Sequence, residues 1–146
     1  MAVSIKVLNE KICSLQPLLP SKAKFPSVPK KIQPIVDELH AYFKDPKHRF
    51  NLSLHIEGSP FQKSVWKALQ DIPSGETLTY KDLAEKLKTS PRAIGNACRT
   101  NKIAIIIPCH RIVAKSSLGG YSGETKGQML NMKSWLLQHE GYLLSS

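Results

Sequence analysis

The stretch from Ile103 to Val113 constrains this chain more than any other. An apolar run, Ile103-Ala104-Ile105-Ile106-Ile107, ends on Pro108 and is followed at once by Cys109, His110 and Arg111. A β-branched run of this length suits a buried extended segment, because a strand covered on both faces need not alternate. Proline lacks an N–H and biases the preceding residue towards extended geometry, so regular pairing is expected to stop at Pro108. A thiol fixed there, beside two groups able to carry positive charge, fits a cysteine held partly as thiolate. The plainer alternative is a small buried hydrophobe. Adjacent residues also point to different faces, so His110 need not reach Cys109.

Charge and cysteine usage narrow the setting. The chain carries 21 Lys and Arg against 11 Asp and Glu, a net +10. Between Thr79 and Lys115 the basic residues are Lys81, Lys86, Lys88, Arg92, Arg99, Lys102, Arg111 and Lys115, opposed by Asp82 and Glu85. An excess around the reactive stretch favours nucleic acid as partner. No strongly hydrophobic amphipathic helix accompanies it, which argues against a membrane. Cys13, Cys98 and Cys109 form an odd set without CxxC spacing. That argues against a disulfide scaffold or zinc cluster and for a reducing compartment. Lys6, Glu10 and Lys11 break up the N-terminal apolar residues, so no secretory signal is expected. The expected location is intracellular, cytoplasm or nucleus.

In chain order, Val3 to Leu8 reads as a short strand, and five prolines between Pro17 and Pro34 suggest an irregular connector. Ile35, Val36, Leu39, Tyr42 and Phe43 have helical spacing that ends near Pro46. Phe50, Leu52, Leu54 and Ile56 alternate with polar residues and predict a half-buried strand. Ser59-Pro60 opens a helix whose Phe61, Val65, Trp66 and Leu69 fall on one face, best read as core. Thr79 with Asp82 is an acidic capping-box variant starting a helix to about Lys88. Ser90-Pro91 starts another to roughly Arg99, with Ala93, Ile94 and Ala97 inward. The two make a helix-turn-helix candidate. Ser116 to Gly123 is a turn-rich loop, and Thr125 with Gln128 caps a last helix burying Met129, Met132 and Leu136, ended by Gly141. Glu140 at that helix end opposes the dipole, which suggests a specific role or a solvated end.

Pro108-Cys109-His110-Arg111-Ile112-Val113 resembles the active-site motif of the O6-alkylguanine-DNA alkyltransferases. The likeness extends through Phe61-Gln62-x-x-Val65-Trp66, Ile72-Pro73-x-Gly75, Thr79-Tyr80, Arg92-Ala93-Ile94-Gly95, Asn101, Gly120-Tyr121-Ser122-Gly123 and Trp135-Leu136-Leu137-x-His139-Glu140-Gly141. The implied fold is α+β: an abbreviated N-terminal α/β lobe over 1–57, then a mostly helical domain over 58–146. The second would hold the helix-turn-helix and the active-site cysteine. Some relatives bind structural zinc in the first lobe, but Cys13 has no partner cysteine nearby, so no metal is expected.

The resemblance also implies roles. Cys109 would take the alkyl group in a single, irreversible turnover. His110 would act through a water as base, and Glu140 would orient it. Tyr80 would donate towards the guanine, and Asn101 would organise the turn before the cysteine. Arg92 would be a finger that fills the gap left by a flipped nucleotide. Ala93, Gly95 and Ala97 would allow close approach to the minor groove, with Thr79 and Arg99 among the DNA contacts. Tyr121, Ser122, Gly123 and Ile112 would line the pocket. The partner would be double-stranded DNA carrying O6-alkylguanine, bound by a monomer with low sequence specificity and no cofactor. Lys102 and Ala104 stand where relatives often have prolines, and Asn96 where many have a small residue. Three alternatives remain: a non-enzymatic sensor of alkylated DNA, against which Cys109 argues, a helix-turn-helix transcription regulator, and a cysteine hydrolase.

Overall fold

Short polar caps decide where the helices begin. In the computed structural model, which describes residues 2–18, 27–115, 117, 119 and 128–142, the Ser59 hydroxyl accepts from the Gln62 amide and the Gln62 side chain accepts from the Ser59 amide. This reciprocal box and Pro60 in the first turn start helix α2 (Pro60–Gln70). Thr79 and Asp82 make the same exchange at α3 (Tyr80–Lys86). The Ser90 hydroxyl accepts from the Ala93 amide at α4 (Pro91–Arg99). Between α3 and α4 the chain turns through Lys88 at φ +57°, and the two helices pack on one another as the spacing predicts. Earlier, α1 (Gln33–Lys44) buries Ile35, Leu39 and Tyr42.

The N-terminal region holds more structure than its prolines suggest. β1 (Ala2–Leu8) pairs antiparallel with β2 (Lys11–Leu18), joined by Asn9 and Glu10, both with positive φ. Two positive φ values in a two-residue loop match the twist of a hairpin, but Asn-Glu lacks the glycine that usually signals one. Pro17 is accommodated next to the end of β2, where one missing donor costs little. The predicted connector therefore begins only after this hairpin.

β2 is also the seam to the rest of the molecule. The Ile12 amide donates to the Ser53 carbonyl and the His55 amide to the Ile12 carbonyl, giving a single bridge at Leu54. The expected strand at 50–56 is thus an extended segment touching β2 at one point. A second bridge links Leu15 to Ile103, through Leu15 N–H to the Lys102 carbonyl and Ala104 N–H to the Leu15 carbonyl. One core runs from Ile12 and Leu15 through Leu39, Val65 and Leu69 to Ile105, Ile107 and Leu136.

Two side-chain expectations change. Phe61 is 38% exposed, so the α2 stripe buries Val65, Trp66 and Leu69 without it. Trp66 satisfies its indole N–H on the Ala97 carbonyl at 2.8 Å, which draws Ala97 onto the buried face of α4. Of the three small residues read as groove-facing, Ala93 and Gly95 are half-buried and Ala97 is core.

The run 103–107 is buried as expected but is not a strand. After the bridge at Ile103 it curls: Ile106 N–H donates to the Ala104 carbonyl, Ile107 N–H to Ile103, and Ile105 sits at φ +72°. A β-branched residue there is strained, on the order of 1–3 kcal/mol, and needs surroundings that fix it. Past the turn Cys109–Arg111, β4 (Ile112–Val113) pairs in parallel with β3 (Leu78–Thr79), which sets the start of α3 beside the cysteine. α5 (Gln128–His139) closes the molecule. Its end has Tyr142 N–H donating to the Leu137 carbonyl, Gly141 N–H to Gln138, and Gly141 at φ +88°. This C-terminal cap needs the left-handed glycine and turns Glu140 inwards. The Thr125 cap lies outside the described residues.

Candidate active site

Cys109 opens a single 3-10 turn directly after Pro108, its N–H donating to the Ile107 carbonyl at 2.8 Å. Asn101 straps the preceding loop at both ends. Its amide nitrogen donates to the Ile107 carbonyl at 2.9 Å and its oxygen accepts from the Ile103 amide at 3.0 Å. These bonds span the segment that holds the strained Ile105.

Behind the cysteine lies a closed polar network. His110 is fully buried, and its Nε2 meets Glu140 Oε2 at 2.9 Å. The same carboxylate oxygen accepts from the Tyr42 hydroxyl at 2.7 Å and from Arg111 Nη2 at 2.8 Å. Arg111 Nε donates to Glu140 Oε1 at 2.9 Å, making a bidentate pair. The inward-turned Glu140 therefore has a specific role and no solvated end. Burial by itself would push its carboxyl up, but the bonds from His110, Arg111 and Tyr42 outweigh that and hold it well below the usual range. Burial pushes His110 down, against the pull of Glu140. His110 is thus a neutral imidazole whose Nδ1 is buried without a partner among the described residues.

The resting thiol differs from expectation. Burial pushes Cys109 up, and the Asn101 side chain and the charge of Lys133 only partly offset this. Apolar surroundings outweigh the nearby cations, so Cys109 rests as a thiol and needs a base. Lys133 is fully buried and donates to the Ile112 carbonyl at 2.6 Å. Its Nζ stands 6.0 Å from the centre of the Tyr80 ring. Burial lowers it to about 8, with Cys109 and Cys98 pulling the other way. Cys98 itself is pushed up to about 12 by burial and by Cys109.

Tyr80 is half-buried at the first position of α3, packed so closely that a Cβ on Gly119 (φ +75°) would lie 2.8 Å from its ring. That glycine makes room for the tyrosine ring. Ile112 is buried, with one lone pair of its carbonyl already taken by Lys133. Arg92 and Arg99 are exposed at the two ends of α4, and Gly95 lies 3.9 Å from the Tyr80 ring, measured from the position of an added Cβ. Thr79 spends its hydroxyl on the α3 cap. Tyr121, Ser122 and Gly123 lie outside the described residues. Cys109, His110, Glu140 and Asn101 thus gather around one turn, Tyr80 stands near Lys133, and Arg92 and Arg99 are exposed on α4.

Three residues of the network carried no role in the sequence reading. Tyr42 counted only as helix core, although a buried tyrosine hydroxyl usually seeks a partner. Arg111 counted only as a basic neighbour. Lys133, on a turn of α5 between Met132 and Ser134, gave no signal, since lysine is almost never fully buried.

Residues 60–142 match the family model for the DNA-binding domain of 6-O-methylguanine DNA methyltransferase. A probable methylated-DNA--protein-cysteine methyltransferase of Acanthamoeba polyphaga mimivirus is 46% identical over 116 residues, 75% of this chain and 74% of that protein. A methylated-DNA--protein-cysteine methyltransferase of Methanocaldococcus jannaschii is 45% identical over 111 residues, 75% of this chain but 64% of the relative, just under two thirds. The crystal structure of Mycobacterium tuberculosis OGT in complex with DNA superposes with a TM-score of 0.79 at 35% identity, covering 94% of this chain and 85% of that one.

Proposed function

Because this chain belongs to the O6-methylguanine DNA methyltransferases, enzymes of DNA repair by direct alkyl transfer, we propose that it carries out that repair with Cys109 as its alkyl acceptor. The observation that carries the residue-level reading is the Asn101-strapped turn, which presents one thiol beside a buried His110–Glu140 pair.

The step is a displacement at carbon. Cys109 Sγ forms a bond to the alkyl carbon while the carbon–O6 bond breaks, its electron pair passing to the guanine oxygen. The thiol proton must leave first. Neutral His110 accepts it through a bridging water, and Glu140 stabilises the imidazolium that results. The depressed Glu140 carboxyl guarantees a negative partner at neutral pH. The buried Lys133 ammonium favours the thiolate as it forms. The guanine that leaves takes a proton or strong hydrogen bond from Tyr80. The product is a thioether that simple hydrolysis does not reverse, so one molecule repairs one lesion.

DNA is the partner, met through the α3–α4 face. An enclosed thiol reaches guanine only after the nucleotide leaves the stack, at a cost of a few kcal/mol. Arg92, exposed at the start of α4, fills the gap, and the half-buried Ala93 and Gly95 let the helix approach the minor groove. Such contacts read little sequence, which suits a protein that searches for damage. We further propose that the protein acts as a monomer inside the cell; no helix among the described residues is long and apolar enough to cross a membrane.

Intact mass after incubation with a duplex carrying one O6-methylguanine tests the proposal. A single gain of about 14 Da on Cys109, missing in Cys109→Ala, is the expected result for covalent capture by this thiol. Binding without any change in mass would make the protein a sensor of damage and defeat the mechanism.

A further inference from the structure

A cleft of about 640 Å³ shares a wall with the reactive turn, at Ile105 and Pro108, but Cys109 and the residues of α3 and α4 are not in its lining. Lys47 and Arg49 enter it from the loop after α1, and Arg111 from the turn itself. Asp71 is the one carboxylate in the described lining, and His48 is already paired with Glu38 at 2.9 Å. Neither Lys47 nor Arg49 forms an ion pair with a described residue. Arg111 commits three N–H groups, two to Glu140 and one to the Ile72 carbonyl. A guanidinium has five, so two are left. The Ser74 hydroxyl, also in the lining, is buried and has no partner among the described residues. Two guanidinium groups, an ammonium and an uncommitted hydroxyl are the donor set of an oxyanion site.

We infer that this cleft binds a phosphate group, either free or in a nucleic-acid backbone, and that the bound phosphate shares Arg111 with Glu140. The Arg111 charge disfavours the His110 imidazolium. An anion that offsets this charge makes His110 a better proton acceptor, so occupancy primes the thiol. The coupling rests on the His110–Glu140 relay proposed above; phosphate binding does not.

The test is a nuclear magnetic resonance titration of the full chain with inorganic phosphate, ionic strength held constant with sodium chloride, following the Arg111 Nε–H signal. A saturable shift is expected in the wild type. A Lys47→Ala/Arg49→Ala variant should bind at least ~tenfold more weakly, the factor that loss of one charge-assisted contact costs. That variant should still accept the alkyl group from a free O6-alkylguanine base at the wild-type rate, since neither residue touches the Cys109 network. A shift that never saturates, or one unchanged in the variant, overturns the site. An undamaged short duplex separates the sources. If it moves the signal in the wild type but not the variant, the backbone supplies the phosphate; if inorganic phosphate alone does so, the ligand is free. The midpoint of the His110 ring titration should rise with saturating phosphate. An unchanged midpoint removes the coupling, while failure of the relay itself appears separately as a missing mass gain on Cys109.

Discussion

The two sides of Cys109 treat charge in opposite ways. Behind it, Glu140, His110 and Lys133 are buried and Arg111 is half-buried, and each has a hydrogen-bond partner within 3 Å. On the α4 side, Arg92 and Arg99 are exposed, and no ion pair with a described residue holds them. Buried charges act at short range on pKa values, because little solvent screens them. Exposed charges act on a polyanion and fade with salt. With Arg92 and Arg99 as the proposed DNA contacts, chemistry and recognition belong to different faces, and substitutions should separate them.

The sharpest separation is at the thiol. Cys109→Ala should abolish alkyl transfer, read as loss of the mass gain, yet leave lesion-duplex affinity within about twofold. In the proposed arrangement binding energy comes from the other face, and a small half-buried thiol contributes little to it. Glu140→Ala comes next. It leaves the largely buried Arg111 without its carboxylate and strips His110 and Tyr42 of their acceptor, a loss of about 3–5 kcal/mol. Urea denaturation reads it directly; a cost under about 1 kcal/mol would mean the network is solvated and the contrast drawn above is false.

Acid should expose the same network. The folded His110 lies below its ordinary 6.5, so the unfolded chain binds more protons once pH falls through that value. Glu140 is also depressed, and its contribution, present above the ordinary 4.5, is lost as pH falls towards its folded value. Both signs agree: stability declines in two stages on acidification, beginning near pH 6.5. A denaturation series in pH, repeated on Glu140→Gln, should retain the first stage and lose the second.

Local signals made much of the fold legible. Ser59, Thr79 and Ser90 announce helix starts through bonds made within three residues, and all three caps form as read. Asn9-Glu10 hid a hairpin because its turn lacks glycine, and 50–56 kept its alternation but gained only one bridge. The run 103–107 misled because its composition reports burial and leaves path open. Asn101 sets the path, with Ile105 forced to a backbone region that its own side chain disfavours. At the site, the motif pointed to Cys109, His110 and Glu140 by resemblance. It could not show that the thiol rests protonated or that Lys133 is buried, since both depend on what distant segments exclude from water.

Lys133 gives a more moderate test. Lys133→Met keeps an unbranched side chain of similar length but removes the cation that favours the Cys109 thiolate. Iodoacetamide labelling of Cys109 at neutral pH should slow by about tenfold, the effect of one further pKa unit on the thiolate fraction. Relative to the variant, the wild type should gain stability between pH 8 and 10.5, because folded Lys133 has released its proton while the unfolded side chain still holds one. Above pH 9 the raised Cys98 and Cys109 thiols pull the other way in both proteins. Equal labelling rates would show that Lys133 serves the Ile112 carbonyl alone.

The smallest expected effect lies on the outer face. Arg99 is exposed in the last turn of α4, where its charge suits the helix dipole by a few tenths of a kcal/mol. Arg99→Ala should leave thermal stability within about 0.5 kcal/mol and transfer from a free alkylated base unchanged. Its mark should appear only with DNA. If Arg99 neutralises one phosphate, the slope of log affinity against log salt falls in magnitude by about 0.9, and the loss is equal for damaged and undamaged duplexes. A steeper loss on damaged duplex alone would move Arg99 into lesion recognition. An unaltered slope would take Arg99 out of the phosphate contacts and leave Arg92 as the cation of α4 that meets DNA. Either result bears on recognition without touching the buried network, since Arg99 is exposed and forms no ion pair with the described residues of that network.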